Sequence, residues 1–134
     1  MCDKENTSIV EQMKLSPSEK VFVLLWTKKL LCVDFEGVDA IKKQIEHALQ
    51  FDLISFYHHN ANIWIGFHLD NFEPLHPKKL GVPISMTAFQ ENKAPIFFVI
   101  HVKNGIIIEI EVGTDDLSNI DINCIDLTNV EYHM

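Results

Sequence analysis

The sequence predicts an α+β fold: two N-terminal helices packed on one face of a five- or six-stranded, mainly antiparallel sheet. Three observations carry this. A helix-start signal at Ser16-Pro17-Ser18-Glu19 precedes two stretches with apolar residues at helical spacing. From residue 53 the apolar period changes to two, and Asn104-Gly105 stands between two apolar runs as a hairpin turn. The 134 residues, 47 % apolar with nine Phe and two Trp, suffice for one domain with one core, spanning 1–134. Within it, residues 1–14 are expected to fray, 15–51 to be helical and 52–134 to form the sheet.

Each element has its own signal. Ser16 can cap the first helix, Pro17 suits its first position, and Glu19 completes a capping box. Val21, Phe22, Val23, Leu24, Leu25 and Trp26 are apolar nearly all round, so this helix is expected to be buried on more than one side. Gly37, with Asp34 and Glu36, breaks the chain. A second helix follows over 38–50, with Val38, Ile41, Ile45, Ala48 and Leu49 inward and Lys42, Lys43, Glu46 and Gln50 outward. Strands are expected at 53–58 and 63–69 around a polar turn, and again at 82–89, 95–103 and 106–112. Pro74, Pro77 and Gly81 make 70–81 a loop. Weak alternation over 120–127 predicts a sixth, edge strand.

The Asn-Gly turn also sets an expected register. Continued without interruption, a two-residue loop puts the pairs Lys103–Ile106, His101–Ile108, Val99–Ile110 and Phe97–Val112 on one face, expected to meet the helices. The other face then holds Val102–Ile107, Ile100–Glu109 and Phe98–Glu111, part apolar and part acidic. In that register His101 and Glu109 lie on opposite faces.

Charge is the most lopsided feature of the chain. Of its net charge of −8, residues 1–103 contribute only −1, twelve acids against eleven lysines. Residues 104–134 carry seven carboxylates and no lysine: Glu109, Glu111, Asp115, Asp116, Asp121, Asp126 and Glu131. The acids alternate with isoleucines and so project from ordered strands and a turn, as a directional negative field suited to a basic partner. Solubilisation alone is the plainer role of such a segment. The chain contains no arginine, which with the acidic balance argues against nucleic-acid binding. Residues 1–14 lack the apolar core of a signal peptide, and the longest apolar run, 21–26, is far too short to span a bilayer.

Motifs for chemistry are missing. Cys2, Cys32 and Cys124 form no Cys-x-x-Cys and read as reduced thiols in a cytoplasmic protein. Seven histidines are many for this length, but none lies in a His-x-x-x-His pattern, and His58 and His59 point to opposite faces of a strand. Neither a metal site nor a cofactor is expected. No serine sits in Gly-x-Ser-x-Gly, and the five scattered glycines build no phosphate loop, so the chain is not expected to be an enzyme.

Two stretches carry a resemblance. Residues 15–20, Leu-Ser-Pro-Ser-Glu-Lys, with the amphipathic segment behind them, look like the helical opening of a group of small, stand-alone bacterial α+β proteins of unassigned activity. Val82-Pro83-Ile84 followed by residues 100–105 and Ile108-Glu109-Ile110-Glu111 looks like their closing hairpin. In its small size, acidity and absence of motifs the chain is also similar to immunity proteins of contact-dependent growth inhibition. That resemblance implies a cytoplasmic inhibitor, one monomer in a heterodimer with its cognate toxin, frequently a basic nuclease, whose active site it occludes. The expected toxin-binding residues are Glu109, Glu111, Asp115, Asp116, Asp121 and Asp126, with Phe98, Ile100 or nearby Trp64 as apolar anchors. The alternatives are a small ligand-binding or enzymatic domain using His101 and Glu109, and an oligomerising domain.

Overall fold

A computed structural model describes residues 15–69, 83–89, 94–123 and 125–133, with backbone only at 126–128. Two helices, α1 (Pro17–Leu30) and α2 (Val38–Gln50), precede six strands. The strands are β1 (Ile54–His59), β2 (Asn62–Phe67), β3 (Ser85–Phe89), β4 (Ile96–Lys103), β5 (Ile106–Thr114) and β6 (Asp126–His133). They form one sheet in the order β1-β2-β5-β4-β3-β6, every neighbour antiparallel. The α+β class is as the sequence predicts. No helix among the described residues is long and apolar enough to cross a membrane.

The capping box forms as expected: Glu19 N–H donates to Ser16 Oγ at 3.2 Å, and Ser16 N–H to Glu19 Oε1 at 2.9 Å. Only one side of α1 is buried, however. Phe22, Val23, Trp26 and Leu30 enter the core, while Val21, Leu24 and Leu25 stay exposed because no described element lies outside the helix. The second helix has its expected bounds, and Gly37 at its N-cap takes φ 91°, a left-handed conformation that favours glycine. Its inward face carries one residue the pattern missed. Gln44 is wholly buried; its Nε2 donates to Gly105 O at 2.9 Å, and its Oε1 accepts from Ile107 N at 2.8 Å. One carboxamide thus satisfies two backbone groups of the β4–β5 hairpin, beyond the point where β2 stops pairing with β5 at Gly66–Glu109.

The hairpin turn is the expected one, with positive φ at both Asn104 (55°) and Gly105 (79°). The register beyond it is not the uninterrupted one. Lys103 pairs with Ile106 and Val102 with Ile107, but His101 then pairs with Glu109, leaving Ile108 as an extra residue, a β-bulge. Beyond the bulge Ile110 and Val112 keep the expected helix face and Glu109 and Glu111 the expected open face, but β4 is reversed: Phe98, Ile100 and Val102 are buried, and Phe97, Val99 and His101 face away. Ile100–Ile110 and Phe98–Val112 face the helices; His101–Glu109 and Val99–Glu111 face away.

The core lies between the helices and that first face. Phe98 stacks on Trp26 (centroids 4.7 Å apart, 18° between planes) and lies 6.3 Å from Phe22, which meets Phe56 edge-on. Ile63, Ile65, Met86, Ile96, Ile100, Ile107, Ile110 and Val112 complete the buried layer. The expected strand over 120–127 is displaced: β6 begins at Asp126, and Ile120 instead enters the core, with Ile122 and Ile125 packed against it. β6 lies at the sheet edge, paired with β3, and Tyr132 Oη donates to Lys29 O at the end of α1 (2.6 Å). The expected loop over 70–81 and the fraying N-terminal residues lie outside the described residues.

Three expectations follow. Ile108 is 45 % exposed and Ile110 2 %, so Ile110→Ala should cost about 2–5 kcal/mol while Ile108→Ala stays within about 0.5 kcal/mol in urea unfolding. Equal costs at the two positions would rule out the bulge. Gln44→Leu, similar in size but without the two hydrogen bonds, should cost roughly 2–5 kcal/mol, because it strands a buried N–H and a buried C=O. The third concerns pH. Burial, helped by the charge and hydrogen bonding of Cys32, raises the Tyr132 hydroxyl above its ordinary value of 10.0. Its contribution to stability is therefore complete below about pH 10 and lost as pH rises through the higher folded-state value. Wild type should lose stability more steeply above pH 10 than Tyr132→Phe; parallel curves would count against this link.

Candidate functional site

The face of the sheet turned away from the helices carries the unusual chemistry. The pairings set it out in rows. One row runs Ser55, Gly66, Glu109, His101 across β1, β2, β5 and β4. The next runs Tyr57, Trp64, Glu111, Val99, Ser85, His133, and reaches β6. A third runs His59, Asn62, Gly113, Phe97, Thr87, Glu131. All of these except Thr87 keep partial or full exposure, so among the described residues this face is uncovered.

At its centre His101 Nε2 and Glu111 Oε1 lie 3.0 Å apart, with the imidazole as donor because an ionised carboxylate only accepts. Glu109 stands directly opposite His101, and one ligand-type atom from each of the three residues falls within 4.8 Å of the others. The side chains of His101 and Glu111 are 33 % and 47 % exposed, so solvent screens the pair and it adds little to stability. On one flank Tyr57 and Trp64 form an aromatic shelf, centroids 5.4 Å apart. On the other, His68 Nε2 and Ser55 Oγ lie 3.1 Å apart over Gly66. A Cβ at residue 66 would come within 2.7 Å of that Ser55 hydroxyl, which explains a glycine inside a strand.

At its C-terminal end β5 leads into an ordered acidic turn. Asp116 Oδ1 accepts from Ser118 N at 3.0 Å, Thr114 Oγ1 donates to Ser118 O at 3.0 Å, and Leu117 sits at φ 62°, 74 % exposed. The hydrogen bonds from Ser118 hold the Asp116 carboxyl below its ordinary value of 3.8. Asp115 and Asp116 are both exposed there.

The expected site residues therefore divide. Glu109 and Glu111 sit on the open face, and Asp115 and Asp116 at the end of the same strand. Asp121 is exposed farther along the return segment, where its carboxylate accepts from Asn123 N at 3.0 Å. Asp126 opens β6, but its side chain lies outside the described residues, as do Cys2 and Cys124. Phe98 and Ile100 are corrected: at 1 % and 0 % exposure they belong to the core beneath the helices and present nothing to a partner. The separation of His101 from Glu109 is corrected too, since the bulge brings them side by side. Tyr57 and Leu117 were missed. Leu117 had a legible signal, a lone large apolar residue inside a run of turn-forming residues. A scan of protein-family models, a search of curated proteins and a search of solved structures each returned no match.

Proposed function

We propose that this protein is an inhibitor of the immunity type, a cytoplasmic single domain that binds a basic toxin domain through the open face of its sheet. One observation carries the reading. A single strand, β5, presents Glu109 and Glu111 beside the Tyr57–Trp64 shelf and then leads into Asp115, Asp116 and the exposed Leu117. Aromatic and aliphatic anchors set among like charges are what a desolvated contact with a basic surface requires, and strand-held carboxylates lose little entropy on binding. A nuclease cleft, built to hold phosphates, is the partner chemistry this charge pattern fits best. Trp64 and Leu117 take over the anchor role that Phe98 and Ile100 cannot fill.

A second reading has one observation in its favour. His101 beside Glu109 and Glu111 is a plausible acid–base or ligand-holding group, and the objection from opposite faces is gone. The shallow, exposed setting of these residues favours a protein partner over a small substrate, which would seek a concave site.

The test is whether a toxin domain is encoded next to this gene, and, with any such domain co-expressed, the binding kinetics of the purified pair. Association should be fast at low salt and slow steeply as salt is added. Asp115→Asn with Asp116→Asn should lower the on-rate alone. Glu109→Gln or Glu111→Gln should raise the off-rate by an amount worth about 2–5 kcal/mol, by leaving a partner cation buried and unpaired. Glu46→Asp, exposed on α2, is the control and should change nothing. Protection that survives all four acid substitutions would leave the acidic strand as a solvated surface and remove the basis of this proposal.

A further inference from the structure

The bulge in β5 assembles a donor set that no spacing in the sequence announces. We infer that His101, Glu109 and Glu111 form a binding site for one first-row divalent metal ion, with Zn2+ the best fit. The three residues come from two adjacent strands and share the open face: Glu109 is directly opposite His101, and Glu111 is two positions along. Their ligand atoms lie within 4.8 Å of one another, and the imidazole nitrogen and one carboxylate oxygen are already 3.0 Å apart. Zinc bonds of about 2.0–2.2 Å put tetrahedral donors roughly 3.3–3.6 Å from each other. Closing the set therefore takes rotation of the two glutamate side chains and a shift of the His101 Nε2 proton to Nδ1 or solvent, as the ion replaces the hydrogen bond to Glu111, with the strands left in place.

The chemistry of the donors selects the ion. One imidazole and two carboxylates, without a thiol, suit a borderline divalent ion such as Zn2+. Ca2+ asks for six to eight oxygens, and Mg2+ keeps most of its own water, so neither is favoured by three donors that include a nitrogen. Two carboxylates at alternate positions of one strand repel each other, and an ion between them replaces that repulsion with two favourable contacts. Three protein ligands leave the fourth position to water or to a group from outside. Trp64 and Val99 are the cross-strand neighbours of Glu111 on either side. The site shares Glu109 and Glu111 with the inhibitor reading, but an isolated chain would bind the ion with no partner present, so metal binding and toxin binding are tested separately.

The test uses the full chain, stripped with chelator and titrated with ZnCl2 by calorimetry in a non-coordinating buffer. One equivalent should bind, and His101→Ala and Glu111→Gln should each lower the affinity at least tenfold. Co2+ in place of Zn2+ should give the visible absorption of a four-coordinate ion, absent from His101→Ala. His58→Ala with His59→Ala is the control for adventitious binding by the adjacent exposed imidazoles and should leave the affinity unchanged. All the altered side chains are partly or fully exposed, and circular dichroism checks that each variant is folded. No saturable binding at one equivalent, binding that ignores His101→Ala, or binding that disappears with His58 and His59 would overturn the site.

Discussion

The cost of burying charge fixes the register of this sheet. Carried past Val102–Ile107 without interruption, the Asn104-Gly105 hairpin would set Glu109 beside Ile100 and Glu111 beside Phe98. Phe98 is stacked on Trp26 under α1, so both carboxylates would lie in the aromatic core. Each would face a desolvation penalty of several kcal/mol with no cation to offset it. One extra residue in β5 removes the conflict: Ile108 goes to the surface, Ile110 and Val112 turn inward, and the two glutamates turn out. The loss is one exposed isoleucine, which is small beside two buried carboxylates. Everything distinctive about the open face, including the meeting of His101 with both glutamates, follows from that single insertion.

Because β2 stops pairing with β5 at Glu109, the backbone between there and the turn lacks a neighbouring strand on that side among the described residues, and here the helical layer supplies the partners. Gln44 comes from the middle of α2, on the face that otherwise holds only apolar residues, and its amide reads Gly105 and Ile107 as a neighbouring strand would. The link spans more than sixty positions of chain. It makes α2 specific to this hairpin, where apolar packing alone would tolerate sliding. On the other side of the molecule Tyr132 does related work with a single hydroxyl, joining β6 to the end of α1.

Much of this was legible in the sequence because it is local. The capping box at Ser16 and Glu19, the bounds of α2 and the two positive φ values at Asn104-Gly105 each depend on a few adjacent residues. The bulge depends on pairing between strands, yet it left a trace: Ile107, Ile110 and Val112 can share an inward face only if one residue among them is extra. An acidic–apolar face was the symptom of the wrong register. Helix α1 misled for a different reason, since six consecutive apolar residues say nothing of how many neighbours a helix will have. Gln44 was invisible because glutamine on an amphipathic helix usually marks its wet side. The site suffered most, because the register that put Glu109 and Glu111 correctly on the open face put Phe98 and Ile100 there too and His101 behind it.

The position of β6 has a consequence for self-association. In the order β1-β2-β5-β4-β3-β6, removing β6 would turn β3 into an edge, offering the unpaired backbone of a short apolar strand, Met86 to Ala88, to any passing chain. With β6 in place the outermost strand carries Glu131 exposed, and an ionised side chain on an edge discourages a further strand from adding. Part of the acidity of the C-terminal quarter thus guards the sheet against its own copies. Damage to the final eight residues of that edge would be felt first as aggregation, before any loss of the helix-packed core.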